Sequence, residues 1–586
     1  MCIGDEDLLI SDGKISAATD KIMSSQWLAI LCSLASVAFS FATNDGPMVT
    51  TSLGPVKGIY ELTLHGRQIE TYRGIPYALP PSGKLRFKPP VPIPQWTGVY
   101  PATEFSAPCI QYLHASHKPI HERVLGSEDC LYLNVHVPVR ENGNTDLMPV
   151  IFWIHGGAFQ FGTGKDMGPK FLLDRDVILV TINYRLGPFG FLSTEDTIVP
   201  GNMGLKDQSM ALNWTAQNIQ AFGGDPNKIT LVGLSAGGAS VHYQYLSPLS
   251  AGLFQRGISL SGTALDCWTQ TENSLEKAKK LASLMGCSTI NNKEMIRCLR
   301  YRPARTVSMA TVEFMPWMYN PYTPFGPVVE KSGVMPFISR SPVEIINDRE
   351  VQDVPWITGV VSEEGLYPAA EFVDNTEILQ HLDINWNLIA PHLLDYNYTL
   401  PQDQHVNVAQ MIRKQYLDSK PINTETAHPL VKLIGDRLFV YDSEKAARLQ
   451  AKVNKSPVWY YYFSYRGASS LSDYMSGTNK NFGVCHADDA YTVLNTPYMD
   501  PTTTTSDLQM QSELIDFWVS FANNGIPEIG GVEWPKMDPL TKELHYLHIA
   551  GPDKIAMETN DNFGQKQFWT AIKFNENISP NVKSEL

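Results

Sequence analysis

Runs of lysine and arginine are missing from the 586 residues, and 46 basic side chains face 60 acidic ones, for a formal net charge of −14. Neutralising a phosphate backbone takes clustered positive charge, so the composition argues against nucleic acid as a partner. Internal repeats are missing too, as are Ser/Gly-rich linkers that would separate two domains. Long apolar runs are absent but for one, at residues 24–42 (SSQWLAILCSLASVAFSFA), which carries no charge. It is too short and too Ser-rich for a membrane span and reads as a signal-peptide core, with Ser40-Phe41-Ala42 offering small residues for cleavage. Met23 is then a candidate start, residues 1–22 an upstream extension, 23–42 the signal and 43–586 a single domain. The basic residues usual before such a core do not follow Met23, although Lys14 and Lys21 lie upstream. Removing residues 1–42 takes away five acidic and two basic side chains and leaves −11. No stable membrane span is expected in the mature chain.

What is present is an ordinary globular composition, 43% hydrophobic and 18% charged, ample for a large core. From about residue 148, short apolar, β-branched runs alternate with helical patterns: 148–154, 176–184, 228–234, 256–261, 354–361, 458–465 and 543–549, with amphipathic stretches such as 204–221 and 508–524 between them. Near-continuous apolar strands separated by helices require a central, mostly parallel sheet covered on both faces. The expected fold class is therefore α/β, with 270–350 and 365–455 as large insertions.

Two of the eight cysteines (Cys2, Cys32) fall in the leader. Cys109, Cys130, Cys267, Cys287, Cys298 and Cys485 remain, which allows fifteen full pairings in an oxidising compartment. Sequons occur at Asn213, Asn397, Asn454 and Asn577. Asn213 lies in a helical pattern and Asn454 has Pro457 just beyond its sequon, so Asn397 ranks first as a glycosylation site.

Gly233-Leu-Ser235-Ala-Gly237 is a G-x-S-x-G, weak evidence alone. Here the strand pattern KITLVGL runs straight into it and a helical pattern follows, the strand–turn–helix context that exposes a serine hydroxyl on a strained elbow. The two glycines are expected because flanking backbone packs closely, and the helix start aims free N–H groups at the site. His155-Gly156-Gly157-Ala158-Phe159 directly follows the strand 148–154, where a second set of oxyanion donors is needed. The N–H groups of Gly157, Ala158 and Ala236 are the candidate donors, with Gly156 supplying flexibility. A serine hydroxyl needs a base, and the order Ser, acid, His directs the search downstream. His486 sits in the tight polar loop GVCHADD after the strand 458–465. The acid belongs past a strand in between. Strand 354–361 ends in Ser362-Glu363-Glu364-Gly365, and spacing does not choose between the two carboxylates.

Taken together, GIPYALPPSGKLRFKPP (74–90), SEDCLYLNV (127–135), HGGAF (155–159), NYRLGPFGFL (183–192), GNMGLKDQSMAL (201–212), FGGDPNKITLVGLSAGG (222–238), GVVSEEG (359–365) and GVCHADD (483–489) resemble a type-B carboxylesterase of the cholinesterase-like α/β-hydrolase family. Secreted insect esterases, venom carboxylesterases among them, are similar. The resemblance runs from about Gly54 to Trp569. It implies Ser235 as acyl nucleophile, Glu364 as the acid because the family's carboxylate immediately precedes the glycine, and His486 as general base and acid. It further implies disulfides Cys109–Cys130 and Cys287–Cys298, ion pairs Arg86–Glu128 and Arg185–Asp207, a small-molecule carboxylic ester as substrate, and no metal or cofactor.

Departures bear on substrate. Leu234 stands where the family usually has Glu and juvenile hormone esterases usually Gln, which weakens that narrower alternative. The loop between Cys109 and Cys130 lacks the tryptophan with which cholinesterases grip a quaternary ammonium. Trp268 is either a wall of the acyl pocket or a core aromatic. A rival from another class is a non-catalytic cholinesterase-like adhesion protein, but such relatives lose a triad member and all three candidates stand here. Lys583-Ser-Glu-Leu586 resembles an ER-retrieval signal with Ser in place of an acid, so secretion is expected first and the ER lumen second. Nothing in the sequence selects an oligomeric state.

Overall fold

The computed structural model describes residues 46–114, 119–140, 145–500 and 504–576. The proposed leader, Asn577 and the C-terminal tetrapeptide lie outside the described residues. From Pro47 onward the described residues belong to one compact unit.

Eleven strands build its main sheet: β1 (Ile59–Leu62), β2 (Gln68–Pro76), β3 (Tyr132–Pro138), β4 (Met148–Ile154), β5 (Ile178–Ile182), β6 (Gly224–Leu234), β7 (Arg256–Leu260), β8 (Trp356–Val361), β9 (Val458–Phe463), β10 (Leu544–Gly551) and β11 (Lys554–Asn560). Their spatial order is β11-β10-β9-β8-β7-β6-β4-β5-β3-β2-β1. From β10 across to β5 every pairing is parallel, while β3, β2 and β1 at one end and β11 at the other run antiparallel. All residues of β4, β5 and β8 are buried, so both faces of the central sheet are covered, as their continuous apolar sequences demand. Helices α1 (Met203–Asn218), α2 (Ala236–Leu246), α3 (Tyr441–Val453) and α4 (Thr505–Asn524) supply much of that cover. Trp153 of β4 stacks on Trp518 of α4 with ring centroids 6.0 Å apart.

Chain order reverses about β4: β5 lies on one side of it and β6 on the other. Such a switch point opens a crevice beyond the carboxyl ends of the two strands, where open α/β sheets bind ligands. Here those ends carry His155-Gly156-Gly157 and Ser235.

The seven strands expected from sequence all form, within two residues at each end except that β6 begins four residues early. The four antiparallel strands escape a periodicity reading for local reasons. β2 is interrupted by a register shift between Tyr72 and Ile75, and β11 is a largely exposed edge with little apolar content. The helix read as 204–221 ends its α-helical turns at Asn218 and tightens into a 3₁₀ turn over Ile219–Phe222, which Gly223 closes at φ +82°.

Cys109–Cys130 and Cys287–Cys298 are both bonded, closing loops that span 21 and 11 positions. Bridges over loops of this length contribute about 3 kcal/mol each. Cys267 and Cys485 are free, buried thiols, and burial raises the pKa of both. Of the sequons, Asn213 is exposed on α1, Asn397 is half-buried, and the side-chain nitrogen and oxygen of Asn454 are both buried without a partner. The ranking by exposure therefore differs from the sequence ranking: Asn213 comes first, and the Asn454 amide is buried.

Arg86 forks onto Glu128, and Arg185 onto Asp207. The second pair ties the chain after β5 to α1: Arg185 Nε and Nη2 donate to the Asp207 carboxylate at 2.7 and 2.6 Å, and the Arg185 backbone N–H adds a third bond at 3.1 Å. Both side chains are fully buried, and desolvation raises the Asp207 pKa despite the guanidinium beside it. Removing one partner of such a pair leaves a naked charge in the core. Asp207→Ala is expected to cost about 3–5 kcal/mol of unfolding free energy in chemical denaturation. A loss under 1 kcal/mol would mean that water or another group replaces the carboxylate.

Candidate active site

β6 delivers Ser235 into the crevice with φ +59° and ψ −123°, a conformation that L residues hold only under constraint. Ser235 N–H donates to Leu260 O at 2.8 Å, tying the elbow to β7, and α2 starts at the next residue. The flanking glycines are set by close approach. A Cβ on Gly237 would lie 2.0 Å from Ile154 O, and one on Gly233 would lie 2.3 Å from Gly237 O.

Past β4, Gly157 takes φ +104° and a Cβ there would lie 2.0 Å from Phe161 O. Ala158 and Phe159 follow in the left-handed region at +52° and +59°. Gly156 has no positive φ. It is small because a Cβ would come 2.7 Å from Leu234 O and 3.1 Å from Ser235 Cβ, which corrects the expectation of flexibility: Gly156 lets the two strand-end loops touch. Among the described residues, the N–H groups of Gly157, Ala158 and Ala236 donate to no acceptor in the chain. The loop's histidine, His155, stacks on Tyr184 and is held neutral, its pKa pushed down to about 4 by burial.

Geometry separates the two carboxylates that spacing left equal. Glu364 Oε2 accepts from His486 Nδ1 at 2.6 Å, while its Oε1 accepts the Val361 N–H at 2.8 Å; both side chains are buried. A proton on Nδ1 leaves the lone pair of the neutral imidazole on Nε2, which is buried and has no hydrogen-bond partner. Glu363 points elsewhere. It accepts the Val484 N–H at 2.8 Å and the Ser362 hydroxyl, and its own N–H donates to Val484 O at 3.2 Å, bracing the backbone of the histidine loop. Asp488 braces the same loop from the other side, accepting the N–H groups of Cys485 and Leu471 at 2.8 and 2.9 Å. Burial pushes Asp488 up to about 7 and Asp489, bonded by the Tyr461 hydroxyl at 2.7 Å, up to about 6. Neither brace has a periodic signal in the sequence. Both are visible only once the loops meet.

Ser235, His486, Gly156 and Gly157 line one cavity of about 270 Å³. Its remaining wall is largely apolar and aromatic, including Leu113, Phe161, Leu234, Tyr367, Met475 and Tyr491, and the serine and the imidazole face it without bonding to one another. Trp268 is not in that wall. It is a core aromatic, packed on Phe159, Tyr322 and Phe439, with its indole N–H donating to Leu438 O at 2.7 Å. The wall residue Tyr367 lies with its ring centroid 5.5 Å from that of His486, and its hydroxyl meets His114 Nε2 at 2.9 Å. His114 stacks on Tyr319, whose hydroxyl donates to Pro368 O at 3.4 Å. Among the described residues no group of three or more His, Cys, Asp or Glu is placed to hold a metal ion.

The model of the carboxylesterase family matches residues 45–569. Venom carboxylesterase-6 of Apis mellifera is 55% identical over 549 residues, spanning 94% of this chain and 98% of its own. A carboxylic ester hydrolase of Bombus ignitus is also 55% identical, over 92% of this chain and 97% of its own. The juvenile hormone esterase of Tribolium castaneum is 35% identical, over 92% and 95%. Among solved structures, juvenile hormone esterase from Manduca sexta, with OTFP covalently attached, superposes with a TM-score of 0.79 at 28% identity, covering 89% of this chain and 99% of that one.

Glu371, near Tyr319 and Arg123, yields a pH test. Burial raises its pKa from 4.5 to about 7 against the opposing effects of Tyr319 and Arg123. Between about pH 4.5 and 7 the unfolded chain loses this proton while the folded one keeps it, so the group's contribution to stability falls as pH rises. Glu371→Gln keeps the shape of the side chain but does not titrate. Measured by urea unfolding, the variant is expected to gain on the wild type from pH 4.5 to pH 7.5; a difference independent of pH would show that Glu371 titrates normally.

Proposed function

This chain belongs to the carboxylesterase family and is a carboxylic ester hydrolase, and we propose that it acts as a serine esterase with Ser235 as nucleophile, His486 as general base and acid, and Glu364 as the orienting carboxylate. The observation that carries this reading is the 2.6 Å bond from His486 Nδ1 to Glu364, which leaves Nε2 unpartnered beside a cavity shared with the strained Ser235. In this scheme Nε2 takes the Ser235 proton as the hydroxyl attacks the ester carbonyl. The imidazolium that forms is stabilised by Glu364. The N–H groups of Gly157, Ala158 and Ala236 receive the oxyanion at no cost in lost internal bonds, because they have none to give up. The imidazolium then protonates the departing alcohol, and water, activated by the same nitrogen, releases the acid from the acyl-enzyme. The serine–imidazole bond is made when substrate closes the site, as is common for catalytic contacts that are open in the free enzyme.

The aromatic and aliphatic wall supports esters with apolar groups on at least one side of the carbonyl. Leu234, the residue before the nucleophile, is part of that wall and supports a general carboxylesterase over the juvenile hormone esterase alternative. An intact set of catalytic candidates disfavours the adhesion reading. Two disulfides and the apolar segment at 24–42 support secretion, with retention in the ER lumen as the alternative.

Ser235→Ala is expected to abolish hydrolysis of a short-acyl p-nitrophenyl ester with the circular dichroism spectrum unchanged; retained turnover would refute the mechanism. Glu364→Gln, which mispositions the imidazole proton, is expected to lower kcat by roughly 10³–10⁴-fold. Glu363→Gln still accepts the Val484 N–H and is expected to stay within about tenfold of wild type, since a single neutral hydrogen bond of a brace is modest. The opposite ranking would reassign the acid.

A further inference from the structure

Among the described residues, one carboxylate lines the largely apolar cavity that Ser235 and His486 share. Asp166 lines it together with Tyr474, Tyr491 and Tyr498, and among the described residues no lysine or arginine shares the wall. Asp166 ends the 3₁₀ turn Gly164–Asp166, which Thr163 caps by accepting the Lys165 N–H. Asp166 Oδ2 accepts the Tyr498 hydroxyl at 2.7 Å; Oδ1 has no hydrogen bond among the described residues. Tyr498 is in turn held between Tyr474 (5.5 Å between centroids, edge-on) and Tyr491 (6.2 Å, stacked). The carboxylate is thus oriented by a hydroxyl whose ring packs on two others, with one oxygen unused.

Building on the esterase reading above, we propose that Asp166 is a specificity-determining residue: its free oxygen accepts a hydrogen bond from a donor group of the substrate, a protonated amine or a hydroxyl, and its charge excludes esters that carry a carboxylate. A buried or half-buried charge that faces a ligand exerts a field which water screens poorly, so a donor placed against Oδ1 is favoured and an anion disfavoured. Burial raises the Asp166 pKa and Tyr498 and Lys165 lower it, which is the balance of a carboxylate held partly out of water by design of its surroundings. The negative charge of the whole chain works in the same direction on encounter, repelling anionic esters before they reach the cavity.

The test uses three butyrate esters whose alcohol parts match in shape: 3-methylbutyl butyrate (neutral), 2-(dimethylammonio)ethyl butyrate (cationic at pH 7) and 3-butyryloxypropanoate (anionic), followed by pH-stat in the full chain. Wild type is expected to rank them cation, neutral, anion by kcat/KM. Asp166→Asn, which still accepts from Tyr498, is expected to reduce the cation-to-anion ratio at least tenfold. A ratio cancels any general change in activity, so this reads charge selection rather than damage to the fold. Tyr498→Phe, which frees the second oxygen but keeps the charge, is expected to retain the ratio within about threefold. An unchanged ratio in Asp166→Asn, with the neutral ester still hydrolysed by wild type, would overturn this inference alone. Failure of wild type on the neutral ester would overturn the esterase mechanism and this inference with it.

Discussion

Ser235 keeps φ +59° and ψ −123° because the chain on both sides of it is pinned at distances that leave no relaxed alternative. Ahead of it, Leu234 belongs to a parallel strand paired on both edges. Behind it, Gly237 passes so near β4 that a methyl group would collide with Ile154 O. Laterally, its N–H is bonded to Leu260 O and its own carbonyl accepts the Ala239 N–H at 2.8 Å. A strained backbone persists only where its surroundings over-determine it. The same close approach of β4 and β6 brings the loop after β4 against the serine, so the strain at the proposed nucleophile and the position of the proposed oxyanion donors have one cause.

The imidazole is held by a different means. His486 lies in a loop, where no ladder fixes it, and its position rests on carboxylates instead. Glu364 grips the ring, Glu363 the backbone at Val484, and Asp488 the backbone at Cys485. Buried acids are costly unless they are bonded, and each of these is spent on N–H groups or on the ring. Asp489 adds a fourth carboxylate close enough for Glu364 to raise its pKa further. The loop that carries the imidazole is thus held at its ring and at its backbone by separate carboxylates.

The parallel core was legible because every strand in it is buried on both faces and therefore continuous in apolar residues, as in MPVIFWI and WITGVV. The elbow and the glycine loop were legible because chemistry and close packing restrict the same few positions to glycine. Other features had no such signal. The choice between Glu363 and Glu364 depends on which of two adjacent side chains turns toward a loop 122 positions away, and the resemblance pointed to Glu364 where spacing did not. Trp268, an aromatic just past a strand, reads the same in the core or in a cavity wall until its neighbours Phe159 and Phe439 are known. The antiparallel strands β2 and β11 were hidden by a register shift and by exposure, both of which break the pattern that marks a strand.

The chemical apparatus and the cavity wall have different origins. Ser235, the proposed oxyanion donors and Glu364 stand at the carboxyl ends of β4, β6 and β8, where the sheet dictates position. The wall comes from separate loops, with Leu113 inside the first disulfide loop, Phe161 and Asp166 after β4, Tyr367 after β8, and Tyr474, Tyr491 and Tyr498 after β9. Loops tolerate change that strand ends do not. A fold of this kind can hold its reaction constant while its substrate range drifts, and identity over the whole chain then measures the first better than the second. Leu234 is the exception: it is the last residue of β6 and also a wall residue, so the step from Glu or Gln to Leu alters the cavity at a position that the strand cannot move.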